Sequence, residues 1–216
     1  MIQIIPSILD ASTEDLQAHI IAVQDHVNMI QIDIADGEFV PSTTASNPDI
    51  VKKIATIDIE LHLMVKKPLL ELKKWATVEQ VTRILVHYES MPDIHDIFPT
   101  LHAYGWDISM VINPDTPISA LETFVPELKG VMCMGVIPGF QGSPFVPGVL
   151  GKLKEIKSRW PQLFLELDGG VNEETIDAII ETGLDAVCPG SAIFKNNRTP
   201  GENVSLLREH IRERTR

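Results

Sequence analysis

The chain has 216 residues, 44% hydrophobic and 22% charged, with a formal net charge of −12. That length and balance suit one globular domain over residues 1–216 and argue against a disordered chain or a disulfide scaffold. The acidic balance argues against a nucleic-acid surface, because affinity for phosphate backbones comes mainly from Lys and Arg.

The N-terminal "MIQIIPSILDAS" lacks a basic region and is interrupted by Pro6, so neither a signal peptide nor a membrane helix is expected, and the expected location is cytoplasmic. Strand-like and helix-like stretches then alternate. The strand-like runs are "IQIIPS", "NMIQIDIA", "IDIELHLMV", "RILVHYE", "DISMVIN", "GVMCMGV", "LFLELDG" and "LDAVCPG". Cys133 and Cys188 both lie inside apolar runs without CxxC spacing, which predicts buried small hydrophobes in a reducing compartment.

The first helix follows Ser12, which with Asp15 fits a cap, and Leu16, Ile20 and Val23 recur at helical spacing. "NPDIVKKI" offers Asn47 as cap and Pro48 in the first turn. "KPLLELKKW" is the third helix. "MPDIHDIFPTLHAYG" is the fourth, with a kink expected at Pro99. "TPISALETF" is the fifth. In the sixth, Leu150, Leu153, Ile156 and Trp160 share one stripe. The seventh has Asn172 as cap and Gly183 as stop, and the eighth closes on arginines that suit a helix C-terminus. Eight such units predict a single (β/α)8 TIM barrel.

Alternation then assigns faces. In the second strand Ile30, Ile32 and Ile34 point to the helices, while Met29, Gln31, Asp33 and Ala35 point inward. In the third, Ile57, Ile59, Leu61 and Leu63 point out, while Asp58, Glu60, His62 and Met64 point in. In the seventh, Phe164, Glu166 and Asp168 point in; in the fourth, Arg83, Leu85, His87 and Glu89 do. Asp33, His62 and Asp168 therefore meet at the carboxyl ends of the strands, the catalytic face of this architecture. Two carboxylates and an imidazole there are a candidate metal or acid–base site. At least part of the set Glu60, Glu166, Arg83 and Glu89 is expected to form an internal ion-pair network.

Three glycine-bearing loops follow the sixth, seventh and eighth strands: Gly139 to Gly142, Gly169–Gly170, and Gly190–Ser191. Gly169, Gly170 and Gly190 are expected to allow positive φ and close backbone approach. Amides in such loops bind an anion without basic residues, which suits a chain this acidic.

The ordered segments "IIPSIL", "IDIADGEFVP", "LHLM", "INPDTP", "MGVIPGFQGSPF", "LDGGV" and "PGSAIF" resemble the ribulose-phosphate 3-epimerases from Pro6 to Phe194. The resemblance implies an isomerase of carbohydrate metabolism that interconverts D-ribulose 5-phosphate and D-xylulose 5-phosphate. It implies a divalent cation (Zn, Fe, Mn or Co) and catalytic aspartates Asp33 and Asp168, which with His62 also hold the cation. It gives substrate contacts to Ser7, Met64, Met134, Gly139, Phe140, Gln141, Gly142, Gly169, Gly170, Gly190 and Ser191. The partner is then a small phosphorylated ketose, and self-association as a homo-oligomer is open. The chain departs from the family pattern at Gln31, which stands where a metal-binding histidine is usual, and at Ala35, Glu38 and Ile137. Gln31 leaves three readings: a weak fourth metal ligand or supporting donor, a shift to a hexulose phosphate, or a phosphosugar-binding barrel without metal or turnover.

Overall fold

Pro6 has no amide proton to give to a ladder, and it divides the opening strand into β1 (Gln3–Ile4) and β2 (Ser7–Ile8). The computed structural model describes residues 2–90, 98–139 and 142–215. The other strands are β3 (Met29–Ala35), β4 (Asp58–Met64), β5 (Val81–His87), β6 (Asp107–Ile112), β7 (Gly130–Met134), β8 (Phe164–Asp168) and β9 (Ala186–Cys188). All pair in parallel, in the order β1-β9-β8-β7-β6-β5-β4-β3-β2. β1 pairs with β9 and β2 with β3, so two halves of one extended segment join the two edges of the sheet. Ser7 N donates to Pro189 O at 3.1 Å, and Gln31 N donates to Pro6 O at 3.0 Å. The sheet thus closes into the expected barrel, with nine strand pieces doing the work of eight.

The helices are α1 (Thr13–Val23), α2 (Pro48–Ile54), α3 (Pro68–Trp75), α4 (Phe98–Ala103), α5 (Val149–Arg159), α6 (Ile176–Ile180), α7 (Ser191–Phe194) and α8 (Pro200–Arg214). Ser12 caps α1 by accepting from Asp15 N, and Asn47 caps α2 by accepting from Ile50 N. Part of the expected fourth helix, 91–97, lies outside the described residues. Pro99 falls in the first turn of α4, where its missing N–H leaves no helix bond unmade.

Two helix readings need correction. "TPISALETF" forms a 3-10 turn, Ile118–Leu121, and a second follows at Val125–Glu127; the prolines at 117 and 126 bracket this stretch, which buries Leu121 and Phe124. Asn172 does not cap a long seventh helix. Its Oδ1 accepts from Glu174 N and Thr175 N in a local turn, and α6 starts at Ile176. Gly183 does follow α6 at φ +75°.

The faces fall as the alternation predicts. Ile30, Ile32, Ile34, Ile59, Leu61, Leu63, Leu165 and Leu167 are buried in the layer between sheet and helices. Inside the barrel a smaller cluster of Ile5, Leu85, Val111, Met132, Met134, Ala186 and Cys188 packs around the axis. Cys133 and Cys188 are both buried and unpaired. No helix among the described residues is long and apolar enough to cross a membrane.

Candidate active site

Parallel register brings the three expected side chains together. Asp33 of β3 lies beside His62 of β4, and Asp168 ends β8 beside Met134 of β7. His62 Nδ1 is 2.8 Å from Asp33 Oδ1 and 3.2 Å from Asp168 Oδ2. Asp33, His62 and Asp168 each present a ligand atom within 4.8 Å of the others. All three are buried, at 4%, 0% and 6% exposure, so water screens their interactions little.

Gln31 sits two residues below Asp33 and enters the same centre. Its Nε2 donates to Asp33 Oδ1 at 2.7 Å and to Asp168 Oδ2 at 2.9 Å. Two carboxylates can only accept, so the amide nitrogen has to face them. Gln31 Oε1 is then buried with no hydrogen-bond partner among the described residues. A buried acceptor left this way costs about 1–3 kcal/mol.

Electrostatics divide the titrating groups. Burial, then the charge of Asp168, pushes Asp33 up to about 6 against the pull of His62 and Gln31. Burial alone would lower the His62 imidazole, but its bonds to Asp168 and Asp33 outweigh that and raise it to about 9. Behind it, burial holds His87 down at about 4. One layer deeper, Arg83 Nη1 lies 2.9 Å from Glu60 Oε2 and 3.0 Å from Glu166 Oε1. One guanidinium cannot neutralise both carboxylates. Burial and the charge of Glu166 push Glu60 well above its usual range, and burial outweighs Arg83 in lifting Glu166 to about 7. The expected ion-pair network is present, except that Glu89 lies outside it and binds Asn113 N at 2.8 Å.

Above the centre opens a small cleft. Ser7, Asp33, Met64, Met134, Gly139, Gly142, Asp168, Gly169, Gly170, Gly190 and Ser191 all line it. Gln31 and His62 form the floor beneath. Phe140 and Gln141, also expected at the substrate, lie outside the described residues. Gly169 and Gly170 adopt φ +92° and +72°, and a Cβ on either would strike Val136 or Phe145. Gly190 differs from expectation: its φ is −99°, and it serves as the residue before α7, so no left-handed turn is needed there.

Two residues of this region escaped the sequence reading of the site. Asp36 accepts from Glu38 N, Phe39 N and Lys66 N, tying the loop after β3 to the residues that follow β4. A short acidic residue followed by Gly was the available signal. His87 was placed inward without a role, yet its Nε2 lies 2.9 Å from His62 Nε2.

The fold and this centre define a class: a TIM barrel with paired carboxylates and an imidazole at its catalytic face. Within that class the chain belongs to the ribulose-phosphate 3 epimerase family, whose model matches residues 3–194. It is 33% identical over 202 residues to ribulose-phosphate 3-epimerase of Bacillus subtilis, covering 90% of this chain and 93% of that one. It is 29% identical over 201 residues to the Synechocystis protein of the same name, covering 89% and 87%. In fold it is similar to 3-hexulose-6-phosphate synthase from Salmonella typhimurium, with TM-score 0.75, 11% identity, and coverage of 99% and 100%.

Proposed function

We propose that the protein is a ketose-phosphate 3-epimerase that interconverts D-ribulose 5-phosphate and D-xylulose 5-phosphate. One observation carries the reading: Asp33 and Asp168, from strands far apart in the barrel, both face the same atom, Gln31 Nε2, at the cleft floor. Epimerisation beside a ketone needs a base to take the carbon-bound proton from one face and an acid to return one to the other. Paired carboxyl groups supply both when one is ionised and the other protonated. Burial and the charge of Asp168 hold Asp33 up at about 6, where it can carry a proton close to neutrality.

The residues fit a divalent cation. Two carboxylates and a ring nitrogen form a suitable donor set, and the orphaned Gln31 Oε1 is a fourth donor that amide rotation can bring round. Held by Asp33, His62, Asp168 and Gln31, a cation would supply positive charge to the substrate oxygens on which negative charge develops. Met64 and Met134 line the cleft over the carboxyl groups and exclude water from them. Gly139, Gly142, Gly169, Gly170, Gly190 and Ser191 line the cleft, where backbone amides would hold the phosphate without basic side chains, against the repulsion of the acidic chain.

A second reading, phosphosugar binding without turnover, rests on the Gln31 amide, whose NH2 stands between the two carboxylates where a cation would neutralise them. Deuterium exchange separates the two. With Mn2+, the wild type is expected to exchange the C3 proton of D-ribulose 5-phosphate with solvent, while Asp168→Asn loses at least about 100-fold in rate. Sugar-phosphate binding without exchange, for pentulose and hexulose phosphates alike, would select the second reading.

A further inference from the structure

His62 faces the carboxylates with Nδ1 and turns Nε2 away, to 2.9 Å from Nε2 of His87. The two rings stack with centroids 5.0 Å apart and planes at 23°. At that separation one proton lies between the two nitrogens, and the groups beyond decide which ring owns it. His87 Nδ1 faces Glu89 Oε2 at 3.3 Å. A carboxylate only accepts, so His87 donates from Nδ1 and, being neutral, offers a lone pair at Nε2. His62 must therefore donate from Nε2.

Glu89 is fixed in turn. It accepts from Asn113 N at 2.8 Å and from the Thr116 hydroxyl. The loop carrying those donors is held from the other side by Lys152, whose Nζ donates to the carbonyls of Asn113, Pro114 and Thr116 at 3.0, 2.8 and 2.6 Å. Ser90 Oγ donates to His87 O at 2.8 Å, and the Phe39 ring packs 4.9 Å from the His87 ring. His87 is fully buried and has little freedom to turn.

We propose that His87, anchored by Glu89, is a positioning residue that keeps the proton of His62 on Nε2 and turns the Nδ1 lone pair toward Asp33 and Asp168 for a divalent cation. The inference rests on the reading above that this centre holds a cation. A ring that ligates a metal commonly donates its other N–H to a carbonyl or carboxylate, which fixes its tautomer and its angle. Here a neutral histidine takes that part, and Glu89 prevents it from becoming a donor itself. His87 is not among the described residues that line the cleft, and it meets the centre through His62.

The test uses His87→Phe, which keeps the ring's bulk and removes the acceptor, and His87→Gln, whose amide oxygen restores one. In metal-free, nitrogen-15-labelled protein, the His62 Nε2–H should give a slowly exchanging, hydrogen-bonded resonance. His87→Phe should lose it, and His87→Gln should keep it. Titrated calorimetrically with Mn2+ alone, His87→Phe should bind about tenfold more weakly than wild type, with most of the loss recovered in His87→Gln. Should His87→Phe fail to fold, Glu89→Gln weakens the same hold and should lower Mn2+ affinity in the same direction. An unchanged resonance, or unchanged Mn2+ affinity in the folded variants, overturns the proposal. If wild type itself takes up no Mn2+, the cation reading falls, and the metal-free resonance still decides whether His87 positions His62.

Discussion

On the proposed reading Asp33 and Asp168 exchange protons with the substrate carbon from opposite faces, and the residues around them set the charge of the centre. His62 neutralises one negative charge, and the Gln31 amide spreads across both carboxylates without adding charge. Gln31 therefore does two jobs in one place. Its nitrogen stabilises the paired carboxylates, while its oxygen remains buried and unpartnered. An imidazole at the same position would give a nitrogen ligand, which suits Zn2+, Fe2+ or Co2+ better than an amide oxygen. Gln31→His should therefore tighten Zn2+ binding, by about tenfold if the imidazole joins the ligand set, a gain of about 1.4 kcal/mol. Calorimetric titration of both proteins with Zn2+ checks this. Equal affinities would place residue 31 outside the coordination sphere.

Among the elements, α8 matters beyond its length. It lies past the family match, which ends at residue 194, yet it secures the last turn of the site. Thr199 and Glu202 cap it reciprocally. From its first turns, buried Asn203 sends Nδ2 to Ile193 O at 2.8 Å and to Asn196 Oδ1 at 2.9 Å. Ile193 belongs to α7, which opens at the cleft residue Ser191. Asn203→Ala leaves a buried carbonyl unmet and should lower stability by about 1–3 kcal/mol, measured by urea denaturation. A loss within about 0.5 kcal/mol, as at ordinary surface sites, would mean that α7 stands without this tie. Elements of this kind also show what the sequence discloses. Ser12 and Asn47 announced α1 and α2 because a cap is written in a few adjacent residues. Period-2 alternation put Asp33, His62 and Asp168 on the inner face because side-chain direction is fixed along a strand. The partnership of His62 with His87 was not legible, because it depends on how β4 and β5 align, and that register shifts between Ile59 and Glu60. The contacts of Gln31 were hidden for a related reason: an amide's partners lie across strands distant in sequence.

At the scale of the whole molecule, the barrel axis is a column of titrating groups sealed from water, and their shifts give the fold a direction in pH. His62 is raised from 6.5 to about 9, so its contribution to stability is complete below pH 6.5 and is lost as pH rises through 9. Asp33, raised to about 6, and Glu166, raised to about 7, act with the same sign: each favours the folded state while protonated and ceases to as pH climbs past those values. Two groups oppose them. Burial lowers His87 to about 4, so its contribution is present above pH 6.5 and lost as pH falls through 4. Burial would raise Glu89, but bonds from His87, Thr116 and Asn113 hold it at about 2, so its share disappears only in strong acid. The share of Asp33 is gone by about pH 6 and that of Glu166 by about pH 7, so from there to pH 9 His62 sets the slope, and the metal-free protein should lose stability between about pH 6 and pH 9. The net charge of −12 adds self-repulsion in the same direction. A divalent cation held through His62 Nδ1, as proposed above, would reverse the trend, because it needs that nitrogen without its proton; the Mn2+-induced rise in melting temperature should then grow with pH over the same window. Urea midpoints of the metal-free protein, with Mn2+ melting shifts alongside, measure both slopes. A metal-free stability that is flat or rising from pH 6 to pH 9 would show that His62 does not carry its proton between the two aspartates.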